Sequence, residues 1–293
     1  MADITNEAAY WNRIGYVEIE NIGGGWDRYG GVGDALDFKF EGTYVGEICP
    51  RFFVGILGLS MDTINKLTVW HPAESIKARR GIRVYAGYSK DGISNPLFEG
   101  FVLQALPTNP PEMWLNFDCL MRINKNKPKM EDEFVSDAKL IDILKKIGEE
   151  WNLPVRWDAE KVSRNTTGNF VFTGKTPQKM VDDFSDKFDV LVYCDFNTLV
   201  CQDKECWTNP PKKAEKLSMD TGLLGVTELT PKGATLIKRL DSSIKVFSCV
   251  DVESKLIPKA NGTYRAIKVT HKGHFRGDAW TTSIMAIKQG IER

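Results

Sequence analysis

The residues of this 293-residue chain that could ligate a metal, or serve as nucleophile and base, are three histidines and six cysteines. His271-x-x-His274, with Cys249 or Asp278, carries the donor types of a zinc site. The pair falls in a hairpin connection rather than on one helix face, and no carboxylate is placed as a general base, so the spacing reads as structural. His71 stands apart from both, and Cys201-x4-Cys206 is too loose for a zinc knuckle. The cysteines (Cys49, Cys119, Cys194, Cys201, Cys206, Cys249) are scattered, which fits reduced thiols of a protein made in the cytosol. Gly23-Gly24-Gly25, with Gly30, Gly31 and Gly33 behind it, could cradle a phosphate, but G-x-x-x-x-G-K-[ST] is missing and no amphipathic helix follows. There is no G-x-S-x-G elbow. Asp182-Asp183 falls on the solvated side of a helix rather than across a cleft. These residues assign no catalytic group, no cofactor and no metal, and the chain is expected not to be an enzyme.

Net charge excludes other classes. Lys plus Arg and Asp plus Glu both number 39, which argues against a general nucleic-acid binder or a membrane-surface binder; no membrane and no sequence-specific nucleic acid is expected as a partner. No window of about twenty apolar residues suggests a membrane-spanning helix, and Met1-Ala2-Asp3-Ile4 lacks the basic start and apolar core of a signal peptide. The balance is uneven along the chain. Residues 1–120 carry 10 basic and 15 acidic residues, residues 121–205 carry 14 and 16, and residues 206–293 carry 15 and 8. An acidic front and a basic back can attract each other head-to-tail, within a chain or between copies.

The elements that position these residues are mostly strands. Residues 1–15 read as a loose arm or a short cap. Tyr16-Val-Glu-Ile-Glu20 alternates, and so does Leu36-Asp-Phe-Lys-Phe40, so the glycines between them read as a hairpin tip presenting Trp26 and Tyr29. Arg51–Ser60 is nearly all apolar, which predicts a strand buried on both faces or in an assembly. Met61–Leu67 reads as a short helix capped by Ser60 or Asp62. Strands at Arg79–Tyr88 and Pro96–Leu103 flank a turn, and Trp114, Phe117 and Leu120 suggest one more.

The character changes after the Lys-rich run Arg122–Lys129, which reads as a solvated linker. Ser136-Asp137 can cap a helix with the stripe Leu140, Ile143, Leu144, Ile147 and Trp151, ended by Asn152 and Pro154. Phe170–Gly174 reads as a short strand. Thr176-Pro177 opens a second helix with Val181, Phe184 and Phe188 inward. A hairpin follows over Val190–Cys194 and Thr198–Cys201. Residues 206–218 read as a Pro-Pro linker.

From Leu217 onward the chain is a series of short β-prone runs broken by Pro231-Lys232-Gly233, Asp241-Ser242-Ser243, Asn261-Gly262 and Lys272-Gly273. Alternation places Arg265, Ile267, Val269 and His271 on one strand face, opposite Tyr264, Ala266 and Lys268. Trp280, Thr282, Ile284 and Ala286 form one face of a partner strand. The expected architecture is mainly β with an α+β insert: an N-terminal β-barrel over 1–120, an α+β insertion over 121–205 and a C-terminal β-barrel over 206–293.

Two stretches carry a resemblance. Thr-Gly-Leu-Leu-Gly from Thr221, Lys-Gly-Ala-Thr-Leu-Ile-Lys-Arg-Leu-Asp from Lys232, Asn-Gly-Thr-Tyr-Arg-Ala-Ile-Lys-Val-Thr-His-Lys-Gly from Asn261 and Asp-Ala-Trp-Thr-Thr from Asp278 resemble the C-terminal barrel of baseplate hub proteins of contractile, myovirus-type phage tails. Ile-Leu-Gly-Leu-Ser-x-Asp-Thr-Ile-Asn-Lys-Leu, Arg-Val-Tyr-Ala-Gly-Tyr and Leu-Phe-Glu-Gly-Phe-Val look like the N-terminal barrel of the same family, which includes the T-even central hub protein. The resemblance implies a structural subunit in the virion's tail baseplate, assembled in the host cytoplasm. It implies a homotrimer whose two barrels per copy make a pseudo-sixfold ring between the sixfold tail tube and a threefold central spike. Tube or tube-initiator proteins, the spike and baseplate wedge proteins would be its partners. The contact residues expected from tip and closing hairpin are Trp26, Tyr29, Arg276 and Trp280. Two other readings stay open: a cell-wall or polysaccharide-active enzyme working through the α+β insert, and a carbohydrate-binding module using Trp26, Tyr29 and Trp280.

Overall fold

The computed structural model describes residues 12–21, 23–70, 80–90, 92–121, 133–134, 138–149, 151–159, 170–171, 176–195, 198–204 and 214–288. The Lys-rich run 122–129, the Ser136-Asp137 cap, His71, the arm up to residue 11 and the linker up to residue 213 with Cys206 lie outside them; Arg13–Gly15 and Glu215–Ser218, expected in arm and linker, are instead strand residues, because each pairs with a neighbouring strand.

Seven strands build the front of the molecule: β1 (Arg13–Glu20), β2 (Trp26–Tyr29), β3 (Asp37–Tyr44), β4 (Arg51–Leu57), β5 (Gly81–Tyr88), β6 (Phe98–Pro107) and β7 (Trp114–Leu120). Their alternation decides which side faces the core. Val17 and Ile19, Phe38 and Phe40, Phe52, Val54 and Ile56, Ile82 and Val84, Phe98 and Val102, and Leu115 and Phe117 are all buried in one cluster. Phe38, Phe40, Phe52 and Phe98 form a run of stacked rings, with centroids 6.4, 5.9 and 4.4 Å apart in succession. Helix α1 (Met61–Leu67) plugs this unit with Ile64 and Leu67, and the Ser60 hydroxyl accepts from the Thr63 N–H as its N-cap. The Arg51–Ser60 run is not buried on both faces: Phe53 is 51 % exposed, because β4 is a one-sided strand whose apolar outer residue meets solvent in the single chain.

The middle of the chain packs α2 (Leu140–Glu149) and α3 (Pro177–Phe188) on a three-stranded sheet of β9 (Val155–Trp157), β11 (Val190–Asp195) and β12 (Thr198–Asp203). Leu140, Ile143, Leu144 and Ile147 meet Met180, Val181 and Phe184 in a second core. Asn152, with φ +53°, ends the α2 segment, and the Thr176 hydroxyl caps α3 before Pro177. A two-residue ladder joins β8 (Glu133–Phe134) and β10 (Phe170–Val171). Bonds that tie this unit to the front include Cys194 N–H donating to Gly46 O at 2.9 Å and Ile48 N–H donating to Gln178 Oε1 at 2.9 Å.

The back contains β13 (Glu215–Ser218), β14 (Leu223–Thr230), β15 (Gly233–Arg239), β16 (Cys249–Glu253), β17 (Gly262–His274) and β18 (Trp280–Lys288) around a third core of Leu236, Val250, Tyr264, Val269 and Ile284. Trp280, Thr282, Ile284 and Ala286 are buried in alternation, as their period predicts. Strand β17 departs from strict alternation. Its register against β18 shifts between Ala266 and Lys268, so the bulge at Ile267 lets Tyr264 and Ala266 share the core side with Val269 and His271.

Strand β17 is long enough to serve both β units. Along one edge its first residues pair with β16, and Val269–His274 pair with β3. The order β14-β15-β18-β17-β3-β4-β7-β6-β5-β1-β2, with β16 and β13 branching from β17, is one sheet of 13 strands. The first and last β units are thus hydrogen-bonded directly, in addition to their connection through the α+β unit.

Candidate partner-binding surface

The outer face of β1, β2, β5 and β6 is ordered by register. Tyr16, Glu18 and Glu20 point away from Val17 and Ile19. Glu18 sits opposite Arg28 of β2 and Arg83 of β5, and Arg83 sits opposite Glu99 of β6, which makes a rung of alternating charge. Arg83 donates from Nε and Nη2 to Glu99 Oε1 at 2.9 and 2.8 Å. This hydrogen bond is the main reason its guanidinium is held above its ordinary pKa.

Aromatic rings flank that rung. Tyr16 and Tyr85, paired across the ladder, stack with centroids 4.5 Å apart, and the Arg28 guanidinium lies 3.2 Å from the Tyr16 centroid. On the other side Arg83 lies 4.1 Å from the Trp26 ring. Trp26 rests over Gly81, where a Cβ would stand 2.6 Å from its Cη2, and Gly81 N–H donates to Glu20 Oε2 at 2.9 Å. Trp26 is 37 % exposed and held in place by these contacts.

The four expected contact residues separate. Trp26 belongs to this outer face. Tyr29, three residues on, falls on the opposite side of β2, packs against the front core, and has its hydroxyl pushed up by burial and by Asp27. Arg276 is exposed but braces a loop: its N–H donates to Asp37 Oδ1 at 3.1 Å and its Nη2 to Asp34 O at 2.5 Å. Trp280 corrects the expectation most clearly. It is 2 % exposed, stands edge-on to Phe38 and Phe40, and donates from Nε1 to Gly87 O at 3.2 Å, so it is core rather than contact surface. Trp26, Tyr29 and Trp280 therefore share no glycan platform.

Sequence reasoning missed Tyr16, Arg28, Arg83 and Tyr85. Period two in β1 already sets Tyr16, Glu18 and Glu20 on the polar side. The pairing register that brings the other three alongside was not written in any local pattern.

The histidine pair is split as well. His271 is buried with Nδ1 2.9 Å from Thr282 Oγ1, and His274 Nε2 is 2.7 Å from Asp37 Oδ2. Among the described residues no cluster of three or more His, Cys, Asp or Glu is arranged to hold a metal. A cleft of 610 Å³ lies where the three units meet, lined by Tyr44, Glu47, Asp195, Lys245 and His271 among others. Lys245 bridges Asp195 there at 3.1 Å, and burial raises the Glu47 carboxyl. This arrangement supplies salt-bridge stitching between units.

The fold is similar to that of the 43 kDa tail protein of prophage MuSo2 from Shewanella oneidensis, with a TM-score of 0.62 and 11 % identity over 95 % of this chain and 98 % of that one. It is similar to a tail protein from Neisseria meningitidis MC58, with a TM-score of 0.63 and 10 % identity over 96 % and 98 % of the two chains. The E. coli c3393 protein, a type VI secretion component with structural similarity to the T4 tail proteins gp27 and gp5, aligns at 0.56 and 10 % identity over 88 % and 76 %. No curated protein matches the sequence. The profile of the family described as baseplate hub gp41 matches residues 59–285, from the first helix of the front unit into the last strand of the back one. Because that match runs through all three packed units and over more than half of the sequence, the chain belongs to the baseplate hub gp41 family.

Proposed function

We propose that this protein is a structural subunit of a phage tail baseplate hub, in which three copies form a ring. Each copy contributes two β units, giving six around the axis, and the ring adapts a sixfold tail tube to a threefold central spike. Tube or tube-initiator proteins, the spike and wedge proteins are its partners, and it performs no catalysis itself. The observation that carries this reading is the family match across both β units, which are welded by the β3–β17 ladder into one continuous sheet. Unit boundaries near residues 120 and 205 belong to the same reading, supported by three separate buried clusters. So does alternation of acidic front units with basic back units around the ring, supported by the charge split along the chain.

Light scattering tests it, at low and moderate salt, with and without the adjacent spike protein. A particle of three times 33.0 kDa is expected. Weakening of that particle by salt is the signature of charge alternation. A single chain under every condition overturns the ring, and turnover of peptidoglycan by the isolated protein overturns the non-catalytic role.

A further inference from the structure

We propose that the Lys255–Lys259 loop of one copy docks on the Trp26–Tyr16–Tyr85 face of the next copy. This inference rests on the three-copy reading and names the pair of surfaces that closes the ring.

The loop follows β16 and reads Lys255-Leu256-Ile257-Pro258-Lys259. Leu256 is 75 % exposed, and Ile257 beside it is exposed too. An isolated exposed leucine is ordinary, but two adjacent aliphatic side chains held out between two lysines by a bonded loop are not. Ser254 N–H donates to Asn261 Oδ1 at 2.7 Å, Ile257 N–H donates to Ser254 Oγ at 3.1 Å, and Ala260 N–H donates to Ile257 O at 2.9 Å. Tyr264 Oη then donates to Ala260 O at 2.8 Å from the buried core. The loop's ordering cost is met within the chain, which leaves its apolar tip preorganised for a partner.

The front face has the complementary make-up. Trp, Tyr and Arg are the residue types concentrated at the energetic centres of protein interfaces. Here two tyrosines and a tryptophan stand immobilised by two arginines. Those arginines are already committed, Arg83 to Glu99 and Arg28 to the Tyr16 ring. Glu18, Glu20 and Glu99 outnumber Arg28 and Arg83 on this face, a small negative balance that favours a basic visitor, and Lys255 and Lys259 supply one.

Direction also follows. Face and loop are different surfaces, on β2-β1-β5 at one end of the sheet order and beyond β16 on the branch near the other. A contact between unlike surfaces repeats head-to-tail, as a ring needs, and closes when the rotation between copies is a third of a turn, whereas face against identical face would stop at two copies.

The test replaces Leu256 with the photo-cross-linker p-benzoylphenylalanine in the full chain, at a concentration where light scattering reports association. Cross-links to residues 16–28 or 81–88 of a second copy are expected. Cross-links elsewhere in a three-copy particle overturn this inference and leave the ring intact. A chain that stays single under every condition overturns both. Gly81→Ala, which pushes on Trp26 without removing it, and Lys255→Glu with Lys259→Glu should each raise the dissociation constant of the particle at least about tenfold. Adding Glu18→Lys to the double lysine variant should recover part of that loss. An unchanged dissociation constant in both variants, with unchanged circular dichroism, overturns the proposal.

Discussion

His271 and Thr282 face each other across the β17–β18 ladder, with His271 Nδ1 2.9 Å from the Thr282 hydroxyl inside the back unit. Burial is the main cause that lowers the imidazole pKa to about 4, although Asp241 pulls the other way. The folded protein therefore keeps this histidine neutral, while the unfolded chain protonates it near pH 6.5. Stability from this group is fully present above pH 6.5 and is lost as pH falls toward about 4. The full effect is roughly 3 kcal/mol by linkage. Urea unfolding at pH 7.5, 6 and 5 should show the decline. His271→Gln should flatten it, and an unchanged slope in that variant would show that other groups carry the acid sensitivity.

Lys238 is expected to be intolerant of neutral replacement. Its side chain is only 3 % exposed and reaches Glu215 at 3.2 Å and Asp241 at 2.5 Å. Burial would raise the Asp241 carboxyl, but Lys238 and Ser243 together hold it below its usual range. Lys238→Met leaves two half-buried carboxylates without their cation, a loss of about 1–3 kcal/mol in unfolding free energy. Lys238→Met combined with Asp241→Asn should recover much of it. Chemical denaturation of the two variants distinguishes charge from packing.

Gly42 is fixed by packing rather than by backbone conformation. A Cβ there would run into the Phe52 ring, and Phe52 is stacked between Phe40 and Phe98. Gly42→Ala should cost about 1–3 kcal/mol as an overpacked core. Gly225→Ala, where a Cβ meets open space, serves as the control and should change stability little. Thermal melts of both variants, read by circular dichroism, test the contrast.

Asp37 fastens the loop after β17 to the start of β3. Its Oδ2 pairs with His274 Nε2 at 2.7 Å, and its Oδ1 accepts from the N–H groups of Phe38 and Arg276 at 2.8 and 3.1 Å. Asp37→Ala leaves those donors unsatisfied and should cost about 1–3 kcal/mol. Hydrogen exchange should accelerate at residues 274–279 before it does at residues 81–88. Uniform acceleration would mean that the carboxylate supports the whole unit rather than this junction.

Local pattern and long-range geometry were unequally readable. The Leu140, Ile143, Leu144 and Ile147 stripe and the Thr176-Pro177 cap announced their helices, because capping and 3.6-residue periodicity act within a few residues. The Trp280–Ala286 alternation did the same for β18. The Ile267 bulge was invisible, since one inserted residue leaves composition unchanged while reversing the face of everything before it. Trp26 and Tyr29 stand three apart, a spacing that places them on opposite strand faces once the segment is recognised as β2 rather than as a flexible tip. Trp280 reads as surface in the sequence because its aromatic partners, Phe38 and Phe40, lie some 240 positions earlier. The Arg28–Tyr16–Tyr85 stack depends on strand register, which is a property of pairing rather than of any one strand.

The β3–β17 ladder has a consequence for how the protein is made. Phe38 and Phe40 leave the ribosome more than two hundred residues before Trp280 and the part of β17 that pairs with β3. At about 5–20 residues per second, the front unit waits many seconds with one edge of β3 unpaired and its aromatic core unsealed. Such long-range pairing is slow and exposes the nascent chain to misassociation. It also acts as a checkpoint: a copy whose translation stops before β17 cannot finish its front unit, so only chains translated through β17 and β18 complete that surface.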